Sequence, residues 1–180
     1  MANSMMTYVK VGNLNEETHK KFVGLFENSQ DSLSHINKLY GTEFETYDDV
    51  NRMWMTENVG SKSISIECDN LEYDTQMEFA LDTAWSVPTE YLQKLVEVIG
   101  GDVVVYGTYE DEGYAPMGAF VYAVDYDVIE DYEEEIDFEE MINDDEYHER
   151  IFNNLYSLLD ILFSQYLEVM EERKQEKEAI

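Results

Sequence analysis

The stretch "VPTEYLQKLVEVIGGDVVVYGTYEDEGYAPMGAFVYAV" (residues 87–124) decides the fold class, because it sets one helix against two strands with clear punctuation between them. Pro88 stands near a first helical turn with Thr89 or Ser86 as cap, Leu92, Leu95, Val96 and Ile99 form a stripe at helical spacing, and Gly100 ends it. "DVVVYGTYED" and "APMGAFVYAV" then read as strands joined by a turn at "EDEGYAP".

Working outward, "SKSISIECDNLEY" (61–73) alternates Ile64, Ile66 and Cys68 with Ser65 and Glu67, and "TQMEFALDTAW" (75–85) repeats the period through Met77, Phe79 and Leu81. An antiparallel pair with one buried face is expected there. Further upstream "TYVKVGNL" (7–14) predicts a strand. "NEETHKKFVGLFEN" (15–28) predicts a helix capped by Asn15 or Asn13, with Glu16 and Glu17 at its positive end. Residues 29–62 are less regular, with one short helix expected from Asp48 to about Glu57. The order β-α-β-β-α-β-β predicts an α+β protein, a ferredoxin-like antiparallel sheet with helices on one face.

Downstream the composition changes. Fourteen of the twenty-five residues from 125 to 149 are Asp or Glu, and none is Lys or Arg. Val128, Ile129, Tyr132, Ile136, Met141 and Ile142 recur at threes and fours, which predicts an acidic helix from about Tyr126 to Ile142 with a break near Asp137. A long amphipathic helix follows, with Ile151, Leu155, Leu158, Leu162 and Tyr166 at near-heptad spacing and a frayed charged end. It is expected to cover the sheet or pair with the acidic helix, or to join two copies as a homodimer. The organisation expected is therefore a ferredoxin-like domain over 1–124 and an acidic helical extension over 125–180 packed on it.

The residues Phe79, Thr83, Ala84, Trp85 and Pro88, then Tyr109, Glu110 or Glu112, Gly113 and Gly118, are similar to a pattern F-x-T-A-W-x-x-P, a helix, Y-x-E-x-G and a later G, with a longer spacing from Phe79 to Thr83 and an incomplete match. "NVGSK" (58–62) similarly follows N-x-G-x-K. In these motifs residues 7–123 resemble the YubB-like ferredoxin-like domains encoded on phages and plasmids. The resemblance implies a ferredoxin-like fold and a mobile-element origin, and it brings no chemistry with it.

Forty-one acidic against eleven basic residues give a net charge of -30, far beyond the magnitude of ~2–8 that suffices for solubility. Direct binding to nucleic acid or to an anionic membrane surface is excluded, since both require a basic footprint. No window approaches the ~18–20 apolar residues of a membrane helix, and the single Cys68 suits a reducing compartment. A location in the host cytoplasm is expected.

Catalysis is not expected. His19, His35 and His148 are scattered, read as surface or cap residues, and form no metal or nucleophile motif. Cys68 has no base nearby, phosphate loops are missing, and Asp125-x-Asp127 departs from a calcium loop at Ile129 and Asp131. No cofactor and no metal are expected. Trp54 and Trp85 read as core or hinge aromatics.

If residues 125–149 were helical, their fourteen carboxylates would average one per about 2.7 Å, the same order as the ~3.4 Å repeat of a DNA strand. That predicts a DNA mimic, a non-enzymatic inhibitor that occupies the cationic channel of a basic DNA-binding host protein, such as a restriction-modification or CRISPR defence enzyme. Its contact set is Asp125, Asp127, Glu130, Asp131, Glu133, Glu134, Glu135, Asp137, Glu139, Glu140, Asp144 and Asp145, with Tyr132 or Phe138 as an aromatic anchor. The alternative is a protein-interaction module of a mobile element that uses its sheet or an apolar patch.

Overall fold

The computed structural model describes residues 3–27, 31–72, 74–113, 116–123, 128–144 and 146–178. Its first element is strand β1 (Ser4–Gly12), followed by helices α1 (Glu16–Phe26), α2 (Ser32–Tyr40) and α3 (Arg52–Asn58). The hairpin β2 (Ile64–Glu67) and β3 (Met77–Ala84) leads into α4 (Thr89–Ile99), β4 (Val104–Asp111) and β5 (Met117–Ala123). The chain then forms β6 (Val128–Glu134), α5 (Phe138–Asn143) and α6 (Tyr147–Glu178).

All six strands join one antiparallel sheet in the order β2-β3-β1-β4-β5-β6. Strands β2, β3, β1 and β4 with the intervening helices make the β-α-β-β-α-β unit expected from the sequence, and β5 and β6 widen it by a meander. The protein is an α+β protein with a ferredoxin-like sheet.

Helix α1 starts where the sequence places it. The Asn15 side chain accepts from the backbone N–H of Glu17 and Thr18, while Thr18 Oγ1 accepts from Asn15 N–H, closing a reciprocal cap. Asn15→Ala is expected to cost about 1 kcal/mol, read as an earlier urea midpoint with unchanged slope. Helix α4 ends at Gly100 (φ 69°) as expected, but Pro88, rather than Thr89 or Ser86, occupies its cap position, with no side-chain bond. Helix α2, not expected from the sequence, is capped by Asp31 and closed by Gly41 at φ 65°. Helix α3 begins at Arg52 on an Asn51 cap, later than Asp48.

Two cores flank the sheet. On one face Val9, Val11, Leu81, Val105 and Phe120 pack with Phe22 of α1, Ile36 of α2 and Leu92, Leu95 and Ile99 of α4. On the other, Val104, Tyr106, Met117, Ala119 and Val121 pack against Tyr147, Ile151, Leu155, Leu159, Tyr166 and Met170 of α6. Helices thus cover both faces: α1, α2 and α4 lie on one, and on the other lies α6, for which covering the sheet was one of the expectations. Leu159 rather than Leu158 carries the buried stripe of α6, and the helix runs on to Glu178 where fraying was expected.

The largest departure is in the acidic segment. Of the helix expected from Tyr126 to Ile142, residues 126 and 127 lie outside the described residues, and Val128–Glu134 is instead strand β6, paired with β5 in the register Met117↔Glu134 to Ala123↔Val128; only the last part is helical, in the short α5. A helix would have stacked Glu130 on Glu134, Asp131 on Glu135, Glu133 on Asp137 and Glu135 on Glu139, all like-charge pairs four apart. An extended chain spreads them at ~3.3 Å per residue instead of ~1.5 Å and sends neighbours to opposite sides. It also pairs the backbone of β5, which would otherwise be an edge. The break expected at Asp137 is present, since its carboxylate accepts from Glu139 and Glu140 N–H and caps α5.

Among the described residues no helix is long and apolar enough to cross a membrane.

Candidate functional site

Strand β6 is the last strand of the sheet, and no described strand pairs with its outer side. Glu133 and Tyr132 are exposed there, and the Tyr132 hydroxyl donates to Glu134 Oε2 at 2.8 Å. That bond and the nearby Glu134 charge raise the Tyr132 phenol above its ordinary range. Glu130 and Asp131 lie in the strand opposite Val121 and Phe120. Beyond it Glu135 is exposed, and Glu135, Ile136, Asp137 and Glu139 line a shallow depression of about 450 Å³.

The expected contact set divides by what each carboxylate does. Asp137 serves as the α5 cap. Glu140 accepts from Arg150 Nη2 at 2.9 Å, and Asp144 accepts from Arg150 Nη1 and from the backbone of Glu146. Arg150, which the sequence reading did not single out, also lies 5.4 Å from the centre of the Tyr147 ring. Its guanidinium holds the Asp144 carboxyl below the usual carboxylate range. Glu140 and Asp144 thus tie α5 to α6 through Arg150.

The side-chain carboxylates of Glu133, Glu135 and Glu139 have no hydrogen-bond or ion-pair partner among the described residues, and all three residues are exposed. Asp125, Asp127 and Asp145 lie outside the described residues, as does the side chain of Phe138.

A second constellation joins residues that the motifs had placed far apart. Ser86 Oγ donates to Gly60 O, Ser61 Oγ to Ala84 O, and Thr83 Oγ1 to Ser86 O at 2.7 Å. Trp85 is no core residue: it is 60% exposed at φ 76°, with Lys62 Nζ 4.2 Å from its ring centre. Trp54, by contrast, packs edge-on against Tyr40 and Phe44.

The histidines also depart from the surface reading. His35 is buried, with Nδ1 at 3.2 Å from Leu25 O and Nε2 at 2.8 Å from the buried Tyr91 hydroxyl. His19 is buried as well. His148 Nε2 lies 2.8 Å from Glu110 Oε2, so the motif acid of β4 meets the start of α6. Cys68 is half-buried against the core, and burial pushes its thiol up to about 11, the behaviour of an inert thiol. Among the described residues no group of three or more His, Cys, Asp or Glu is arranged to hold a metal ion.

The fold and this edge define an antiparallel α+β domain with an acidic terminal strand. Residues 64–151, from β2 to the first turn of α6, match the model of a family described as a ferredoxin-like domain in Api92-like protein. No curated protein and no solved structure matches the chain.

Proposed function

We propose that this protein is a non-catalytic acidic decoy, encoded on a mobile element, which binds a basic nucleic-acid-binding protein of the host and blocks it. The observation that carries the reading is the set of exposed carboxylates at Glu133 in β6, Glu135 just after it and Glu139 in α5, none of which has a partner among the described residues. They lie in a segment that has no Lys or Arg from 125 to 149. Alternate residues of a strand stand ~6.6 Å apart on one side, about twice the ~3.4 Å axial repeat of a DNA strand. Glu133 and Glu135, two residues apart where β6 ends, would therefore offer a cationic channel a pair of charges near the repeat of every second phosphate. The target class is a DNA-handling defence enzyme of the restriction-modification or CRISPR type in the host cytoplasm, and the motif residues shared with YubB-like domains support the mobile-element origin.

The same acids also guard a free strand edge against pairing with another copy, and the test separates the two roles. The protein is used to capture partners from bacterial lysate, which are eluted with rising salt and identified by mass spectrometry. A DNA-binding protein displaced by duplex DNA is the expected result. The triple variant E133Q/E135Q/E139Q is expected to bind it at least about tenfold more weakly while remaining monodisperse. Glu140 and Asp144 stay intact because their variants would loosen α5. A partner indifferent to salt, DNA and the triple variant overturns the proposal. A triple variant that keeps full affinity but self-associates leaves the acids as edge guards alone.

A further inference from the structure

The helix α6 covers β4 and β5 but leaves the other half of the same sheet face open. There the sheet floor meets the side of α6 in a cleft of about 360 Å³, at the opposite end of the sheet from β6. Its lining includes two aromatic rings, Tyr8 from β1 and Tyr156 from α6, and three carboxylates, Glu67, Asp69 and Glu78. A cleft of this size suits a side chain or small ligand.

Both rings are fixed by their neighbours. Tyr8 meets Phe152 edge-on at 5.9 Å, Tyr156 meets it at 5.2 Å, and the Tyr8 hydroxyl reaches Glu110 Oε1 at 3.4 Å. The cleft already holds one cation of its own chain. Lys10 Nζ lies 3.4 Å from Glu78 Oε1 and 5.7 Å from the centre of the Tyr156 ring. The carboxylates do not converge as metal ligands do, since no group of three metal-type side chains is clustered among the described residues. Ring faces beside carboxylates are the surroundings that a planar cation selects, through stacking and paired hydrogen bonds together.

We propose that this cleft is a binding site for a guanidinium group, an arginine side chain of a basic partner polypeptide, with Lys10 as the internal cation it displaces. The site is separate from the acidic strand β6 and stands or falls without it. Charge complementarity favours that occupant: of the six lining residues named, three are acids and the one base is already shared between Glu78 and a ring.

The test is a nuclear magnetic resonance titration of the intact protein with L-arginine amide, and with L-citrulline amide as the isostere whose side chain is uncharged. Saturable shifts at residues 8–10, 67–70, 78–80 and 156 with arginine amide alone are expected. Y156A and E67Q/D69N should each weaken binding about tenfold. K10M should tighten it about fivefold, because it empties the cleft, whereas K20M, the same charge change on exposed α1, should leave it nearly unaltered. Equal tightening by K10M and K20M would reduce the effect to net charge and overturn the site. Equal response to citrulline amide, or shifts confined to β6, would overturn it as well.

Discussion

Replacing Gly107 by alanine is expected to cost about 3 kcal/mol or more, a large fraction of the ~5–15 kcal/mol that holds a domain folded. Gly107 lies in the middle of β4 between β1 and β5, opposite Val9 and Phe120. A Cβ there would meet the carbonyl oxygen of Tyr8 and the tip of the Phe120 ring. The carbonyl belongs to a strand paired on both sides and cannot retreat without breaking the ladder, so the clash has no cheap relief. The same replacement at Gly24 is expected to stabilise by about 0.5–1 kcal/mol, since that position is in α1 with open space around it and alanine is the better helix former. Urea unfolding followed by Trp54 fluorescence reads both. Similar costs at the two positions would contradict the argument from close approach.

The second large effect is a dependence on pH set by one buried imidazole. Burial lowers His35 to about 4; its bond to Leu25 O acts the other way, and Lys38 lowers it further. In the unfolded chain a histidine titrates near ~6.5. Between those values the unfolded chain takes up a proton that the folded protein refuses, so stability falls as pH falls through this window. From pH 7 to pH 5 the loss from this group should be roughly 2 kcal/mol, taking the cited folded value of about 4. The measurement stops at about pH 5 because the isoelectric point is about 4.1, where charge no longer keeps the protein in solution. Comparing wild type with His35→Gln cancels the carboxylates, whose protonation relieves repulsion and works in the opposite sense. The gap between the two unfolding free energies should narrow by roughly 2 kcal/mol over that range. A constant gap would mean that His35 titrates normally in the folded state.

Much of the ferredoxin-like unit was legible in the residues. Helix α4 announced itself by its stripe and by Gly100, β3 by its alternation through Met77, Phe79 and Leu81, and α1 by Asn15. The second layer of helix, expected from the stripe of α6, has a further signature in the strands it covers. Val103 to Tyr106 and Met117 to Ala123 are continuous apolar runs, and β5 is buried along its whole length, whereas β3 alternates buried with exposed. A strand that is apolar throughout is covered on both faces, and the long amphipathic helix was the available cover.

The candidate site was legible in kind but not in form. Composition alone marks residues 125–149 as an acidic surface, because carboxylates without cations cannot be buried. It does not say whether they stand on a helix or on a strand: Val128, Ile129, Tyr132 and Ile136 satisfy a helical period, while the same residue types favour strands. The tie was broken by β5, whose open edge rewards a paired strand, and by repulsion, which an extended chain relieves. Which acids are already engaged was likewise tertiary, since Arg150 claims Glu140 and Asp144 from ten and six residues away.

By itself, then, the sequence determines the charge, the order of elements through β5 apart from α2, and the amphipathic character of α6, because these depend on residue type and on periods along the chain. Only the tertiary structure decides the state of the acidic segment, the burial of His35 and the cleft beside Tyr156. Each of these depends on which surfaces distant segments bring together, and that is a property of packing rather than of local pattern.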